Sequence, residues 1–168
     1  MSGMFYCCAS LETLDLKFST ANVTNMSSMF GMCLRLKSLD LRGFNTSKVT
    51  DMSRMFEMNF WDIVSGQSTA YTISSLESLD LSSFDTKNVT DMQEMFAGCN
   101  NLKTLDLSNF DTRNVTWMGS MFAHCKNLKS IYVGDQWDTT AVTNDRDLQY
   151  PMFLGCEALV GGEGTKYD

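Results

Sequence analysis

The stretch Phe84–Cys99, "FDTKNVTDMQEMFAGC", is followed within one repeat length by Phe110–Cys125, "FDTRNVTWMGSMFAHC". Working outward from this pair, the dipeptide Met-Phe recurs at Met4, Met29, Met55, Met95, Met121 and Met152, each time followed by Phe. The triplets "LETLDL", "LKSLDL", "LESLDL", "LKTLDL" and "LKSIYV" fall into the same frame, with "VT" between them at Val23, Val49, Val89, Val115 and Val142. The whole chain is therefore written on one unit, L-x-x-L-D-L-x-x-F-[DN]-T-x-x-V-T-x-M-x-x-M-F-x-x-C-x-x. Ten of eleven Phe, eleven of thirteen Met and five of six Cys occupy fixed places in it, so the composition reports the repeat and not a separate chemistry.

Each piece of the unit has a physical reading. The alternation in L-x-L-D-L predicts a half-buried strand whose Asp points outward. "FDTKNVT" carries Asp, Thr and Asn, which satisfy nearby backbone groups, and predicts a turn. Met92, Met95, Phe96 and Cys99 follow the i, i+3, i+4, i+7 spacing behind Thr90, which predicts a two-turn helix with Thr90 as its N-cap. One such unit buries too little apolar surface to stand alone, so its stability must come from neighbours above and below. The expected fold class is α/β: a leucine-rich-repeat-like right-handed solenoid with a parallel strand ladder on one face and short helices on the other.

The expected organisation is a single repeat domain over 1–168. A partial unit covers 1–10, and full units run about 11–35, 36–75, 76–101, 102–127 and 128–159, before a tail at 160–168. The second full unit carries an insert at 60–75, "FWDIVSGQSTAYTISS". Met1-Ser2-Gly3-Met4-Phe5 lies in register with Met26–Phe30, and we expect the chain to be a piece of a longer array.

Charge and composition exclude several function classes. A net charge of -7 without a Lys/Arg run opposes binding to nucleic acid or to anionic membranes, which depends on cations displacing counterions. There is no basic-then-apolar leader and no apolar run near the length of a membrane span, so no membrane insertion is expected from this segment. Six Cys without a CxxC pair, and a single His, His124, predict neither a metal knuckle nor a Cys-His nucleophile, and no cofactor is expected. Cys8, Cys33, Cys99, Cys125 and Cys156 fall on the apolar stripe and predict a buried thiol column, with Cys7 outside it and His124 facing water. The N-V-T sequons at Asn22, Asn88 and Asn114 follow from the repeat itself.

The residues available for recognition are those the core does not use. Asp15, Asp40, Asp80 and Asp106 share one outward strand position, where Tyr132 takes the place of the next Asp, and Lys17 and Arg42 lie two residues on from the first two. Stacked carboxylates repel, so each needs an offsetting partner: neighbouring Ser, Thr, Lys17, Arg42 or Lys103, or a cation such as Ca²⁺ along the column. In the insert, Phe60, Trp61 and Tyr71 stand outside the repeat logic, and Trp61 and Tyr71 are candidate binding aromatics.

"LxxLDLSxFDTxNVTDMxxMFxGC" resembles the BspA-like leucine-rich repeat surface proteins of host-associated bacteria, and the terminal "NLKSIYVGDQWDTTAVT" and "MFLGCEALVGGEGTKYD" resemble the last unit of such arrays. Asn59 at a Cys position, Trp117 at an Asp position, the short first unit, the insert and the last unit, stretched around "YVGDQW" and "NDRDLQY", depart from the pattern. The resemblance implies an extracellular, cell-surface protein, here part of a longer exported chain, that adheres to host matrix proteins, other cell-surface proteins or glycans. The expected function is therefore a non-enzymatic cell-surface interaction module. The alternatives are a structural spacer of a larger surface protein and a Ca-binding repeat module.

Overall fold

The computed structural model describes residues 1–62, 67–69, 74–143 and 151–160, with the backbone alone described at 60–62 and 67–69. Units stack in register. Phe5, Phe30, Phe56, Phe96, Phe122 and Phe153 form one column of nearly parallel rings, each pair 5.4–5.7 Å apart between centroids. Ring contacts of this kind contribute about 0.5–1.5 kcal/mol each beyond the area they bury. Beside this column, Met26, Met52, Met92 and Met118, Val49, Val89 and Val115, and Leu41, Leu81 and Leu107 are all buried in a continuous core.

The expected helices are not there. Among the described residues the regular elements are four short strands: β1 (Phe60–Asp62), β2 (Gln67–Thr69), β3 (Thr104–Leu107) and β4 (Ser130–Val133). This overturns the α/β solenoid with helices on one face. β1 and β2 form an antiparallel hairpin in the insert, and β3 pairs in parallel with β4, placing Asp106 opposite Tyr132. The expected strand ladder is regular only at that pair; elsewhere on this face the bonds are single ones, such as Ser75 N to Leu34 O and Glu77 N to Lys37 O.

The spacing of the phenylalanines explains the loss of the helices. Neighbouring helix axes need 8–10 Å, whereas the rings repeat at 5.4–5.7 Å. The segment therefore folds as consecutive turns that serve two partners in alternation. In residues 26–33, the N–H groups of Met29, Gly31 and Cys33 donate to the carbonyls of Met26, Ser28 and Phe30 three residues back. Those of Ser28, Phe30 and Met32 donate to Ser53, Met55 and Glu57 in the next unit. The same alternation runs through 52–58 and 92–99.

A left-handed residue resets the chain between turns: Ser28 and Met32, Arg54, Glu94 and Gly98, Ser120 and His124 all have positive φ. Thr90 is not an N-cap; its N–H and hydroxyl both donate to the Thr50 carbonyl of the preceding unit, at 2.9 and 3.1 Å.

Two further ladders tie unit to unit. The buried hydroxyls of Thr20, Thr46, Thr86 and Thr112 each donate to a carbonyl of the following unit and accept the N–H of the same residue, as between Thr112 and Asp138 at 2.8 and 2.7 Å. The thiols of Cys33, Cys99, Cys125 and Cys156 each donate to the Phe carbonyl of the preceding unit at 3.0–3.2 Å. All six cysteines are free. Cys7 is exposed as expected; Cys8 is exposed too, contrary to the buried column, because no described unit packs on its outer side.

Candidate interaction surface

The strand segments place Asp15, Asp40, Asp80, Asp106 and Tyr132 outward, all exposed. Leu41, Leu81 and Leu107 on the following residues point into the core, so the alternation fixes which way each Asp faces. Each carboxylate is held by the residue two positions on in its own unit. Lys17 Nζ lies 2.7 Å from Asp15, and the Arg42 guanidinium grips Asp40 through Nε at 2.9 Å and Nη2 at 2.6 Å. Asp80 accepts the N–H and hydroxyl of Ser82 at 3.0 and 2.6 Å, and Asp106 accepts the Ser108 N–H at 3.0 Å. The hydrogen bonds from Arg42 lower the Asp40 carboxyl to about 2, and those from Ser82 and Ser108 hold Asp80 and Asp106 below the usual carboxylate range.

Asp40, Asp80 and Asp106 thus stay ionised at neutral pH in an ordered row. Asp15, Asp40 and Arg42 border one open depression together with Leu14, Leu16 and Gly43; Asp80, Asp106, Ser82 and Ser108 border a second with Asn109. Both are open, which suits contact with an extended partner better than enclosure of a small molecule. Tyr132 ends the column 58% exposed, beside Asp106. Among the described residues no group of three or more His, Cys, Asp or Glu is gathered closely enough to hold a metal ion. The side chain of Trp61 and the whole of Tyr71 lie outside the described residues.

Sequence reasoning missed a second polar column. Asn25, Asp51, Asp91 and Trp117, the residues after each "VT", are joined by parallel bridges. Asn25 donates to Asp51 at 2.8 Å, and burial, followed by the Asp51 charge among smaller causes, raises the Asp91 carboxyl above its ordinary value. The signal was present in the aligned "TN", "TD", "TD" and "TW" positions. His124, expected in water, is half-buried, and burial lowers its basicity with help from Lys126.

The family described as "Mycoplasma protein of unknown function, DUF285" matches residues 1–62 and 65–161. The chain belongs to this family. That description assigns the family no activity. Neither the curated proteins nor the solved structures give a significant match. No helix among the described residues is long and apolar enough to cross a membrane.

Proposed function

We propose that this DUF285 chain is a non-enzymatic interaction module of a cell surface, engaging a protein partner through the outward column of Asp15, Asp40, Asp80, Asp106 and Tyr132. The observation that carries this reading is that these side chains are exposed and that the four carboxylates are fixed by Lys17, Arg42, Ser82 and Ser108 of their own units. A rigid, regularly spaced row of carboxylates ending in an aromatic ring suits a partner that presents Lys or Arg side chains in series, and the net charge of -7 favours its approach. The resemblance to BspA-like surface repeats supports placement outside the cell as part of a longer exported chain, with host matrix or cell-surface proteins as partners.

The test is binding of the immobilised chain to a panel of extracellular matrix proteins, repeated with the triple variant Asp40→Asn, Asp80→Asn, Asp106→Asn. The expected result is a partner whose binding weakens at least about tenfold in the variant and falls with added salt. Binding that is indifferent to both would move the recognition surface elsewhere.

A further inference from the structure

The third turn segment, residues 52–59, departs from the repeat where it meets its neighbours. Glu57 occupies a column filled by Gly31, Ala97 and Ala123 in the other inner turn segments, and its side chain is only 10% exposed. A single guanidinium serves it and a second carboxylate: Arg54 Nη2 lies 3.1 Å from Glu94 and Arg54 Nε 4.0 Å from Glu57. Two ionised carboxylates against one cation leave an uncompensated negative charge in a largely buried site, and a single proton removes it. Two residues on, Asn59 stands where the column carries Cys, and its buried Oδ1 has no hydrogen-bond partner. Ser74 Oγ and Asn100 Nδ2 are likewise buried without partners. Ser74 lies near the end of the insert, and Asn100 directly follows the fourth turn segment, residues 92–99.

We propose that Arg54, Glu57 and Glu94 form a pH-responsive latch holding the third turn segment against the fourth, beside the point where the chain leaves the stack for the β1–β2 hairpin. The latch is closed while Glu57 carries a proton hydrogen-bonded to Glu94, and it loosens when both carboxyls are ionised. This inference is independent of the proposed function of the Asp column.

Several groups face the latch. Tyr6 from the first turn segment packs over Gly31 and senses both Arg54 and Glu57. From the fourth segment come Glu94 and the Cys99 thiol, and from just before it Asp91, which feels Arg54 and Glu94; Gln93 donates to Glu94 at 3.0 Å. Burial first, then the Glu94 charge, raises the Glu57 carboxyl from 4.5 to about 8 against the opposing pull of Arg54. The sign follows from proton counting. Between these two values the closed form holds a proton that the open form releases, so the closed form loses stability as pH rises through this window and loses no more above it.

The test is amide hydrogen exchange at about pH 6 and about pH 9, corrected for intrinsic chemistry. Met58, which donates to Ala97 O, and Met32, which donates to Glu57 O, report on the latch; Phe96, which donates to Met121 O, is the reference. Relative to Phe96, protection at Met58 and Met32 is expected to fall by about tenfold or more at the higher pH. Glu57→Ala, which restores the residue found at 97 and 123, and Glu57→Gln, which keeps a neutral side chain of the same size, should both abolish the difference. An unchanged ratio in the wild-type chain, or the same fall in both variants, would overturn the latch.

Discussion

At the scale of single residues, the Thr of each "FDT" or "FNT" joins consecutive units most economically. Its hydroxyl satisfies both backbone groups of one residue in the next unit, and at Thr112 it does so fully buried. Thr112→Val leaves the Asp138 N–H and carbonyl without that partner and should cost about 2–3 kcal/mol in urea unfolding, whereas Thr112→Ser should cost less than about 1 kcal/mol. A loss in Thr112→Ser as large as, or larger than, that in Thr112→Val would show that the hydroxyl is not the dominant contribution. Gly98 is constrained differently. Its φ is +76°, and an added Cβ would fall 2.4 Å from Asn59 Oδ1, so Gly98→Ala should destabilise by more than the roughly 1 kcal/mol of a left-handed alanine alone. The sequence announced Thr and Asp as residues that bond to backbone, but bonds within a turn and bonds across units have the same composition, and only the stack decides between them.

At the scale of elements, the repeat length, its register and the inward and outward alternation of L-x-L-D-L were legible because identical residues can be aligned by eye. The helix was misread for a definite reason. Two successive turns, each closed by a left-handed residue, also bring i, i+3, i+4 and i+7 to one side, so Met92, Met95, Phe96 and Cys99 satisfy both descriptions. The clue against a helix lay in Gly3, Gly98 and Gly155, all with positive φ and set inside what would be the helix. The turn segments also bury thiols. Burial raises Cys33 and Cys156 to about 11 and pushes Cys99 and Cys125 higher still. Alkylation of the native chain near neutral pH should therefore label Cys7 and Cys8 and spare the other four until denaturant is added. Native labelling of Cys99 or Cys125 would contradict the thiol column.

At the scale of the whole molecule, each unit borrows acceptors from the units on both sides, so stability accumulates through interfaces and an outward face is left for recognition. The Asp column was legible as a row of equivalent positions, and Lys17, Arg42 and neighbouring Ser were legible as its offsetting partners; which group serves each carboxylate was not, because the residue two positions on differs from unit to unit. Removal of residues 60–73 should leave the units on either side folded, since the columns pass directly from Phe56 to Phe96. A cooperative unfolding transition retained in that deletion checks this; its loss would make the insert part of the scaffold.

The turn segments bond to neighbouring units instead of coiling into helices, and scalar coupling across hydrogen bonds by nuclear magnetic resonance reads this directly. The Phe96 amide should couple to the carbonyl carbon of Met121, one unit ahead, to which it donates at 2.9 Å. Coupling to the carbonyl of Met92, the i−4 partner of an α-helix, would contradict it.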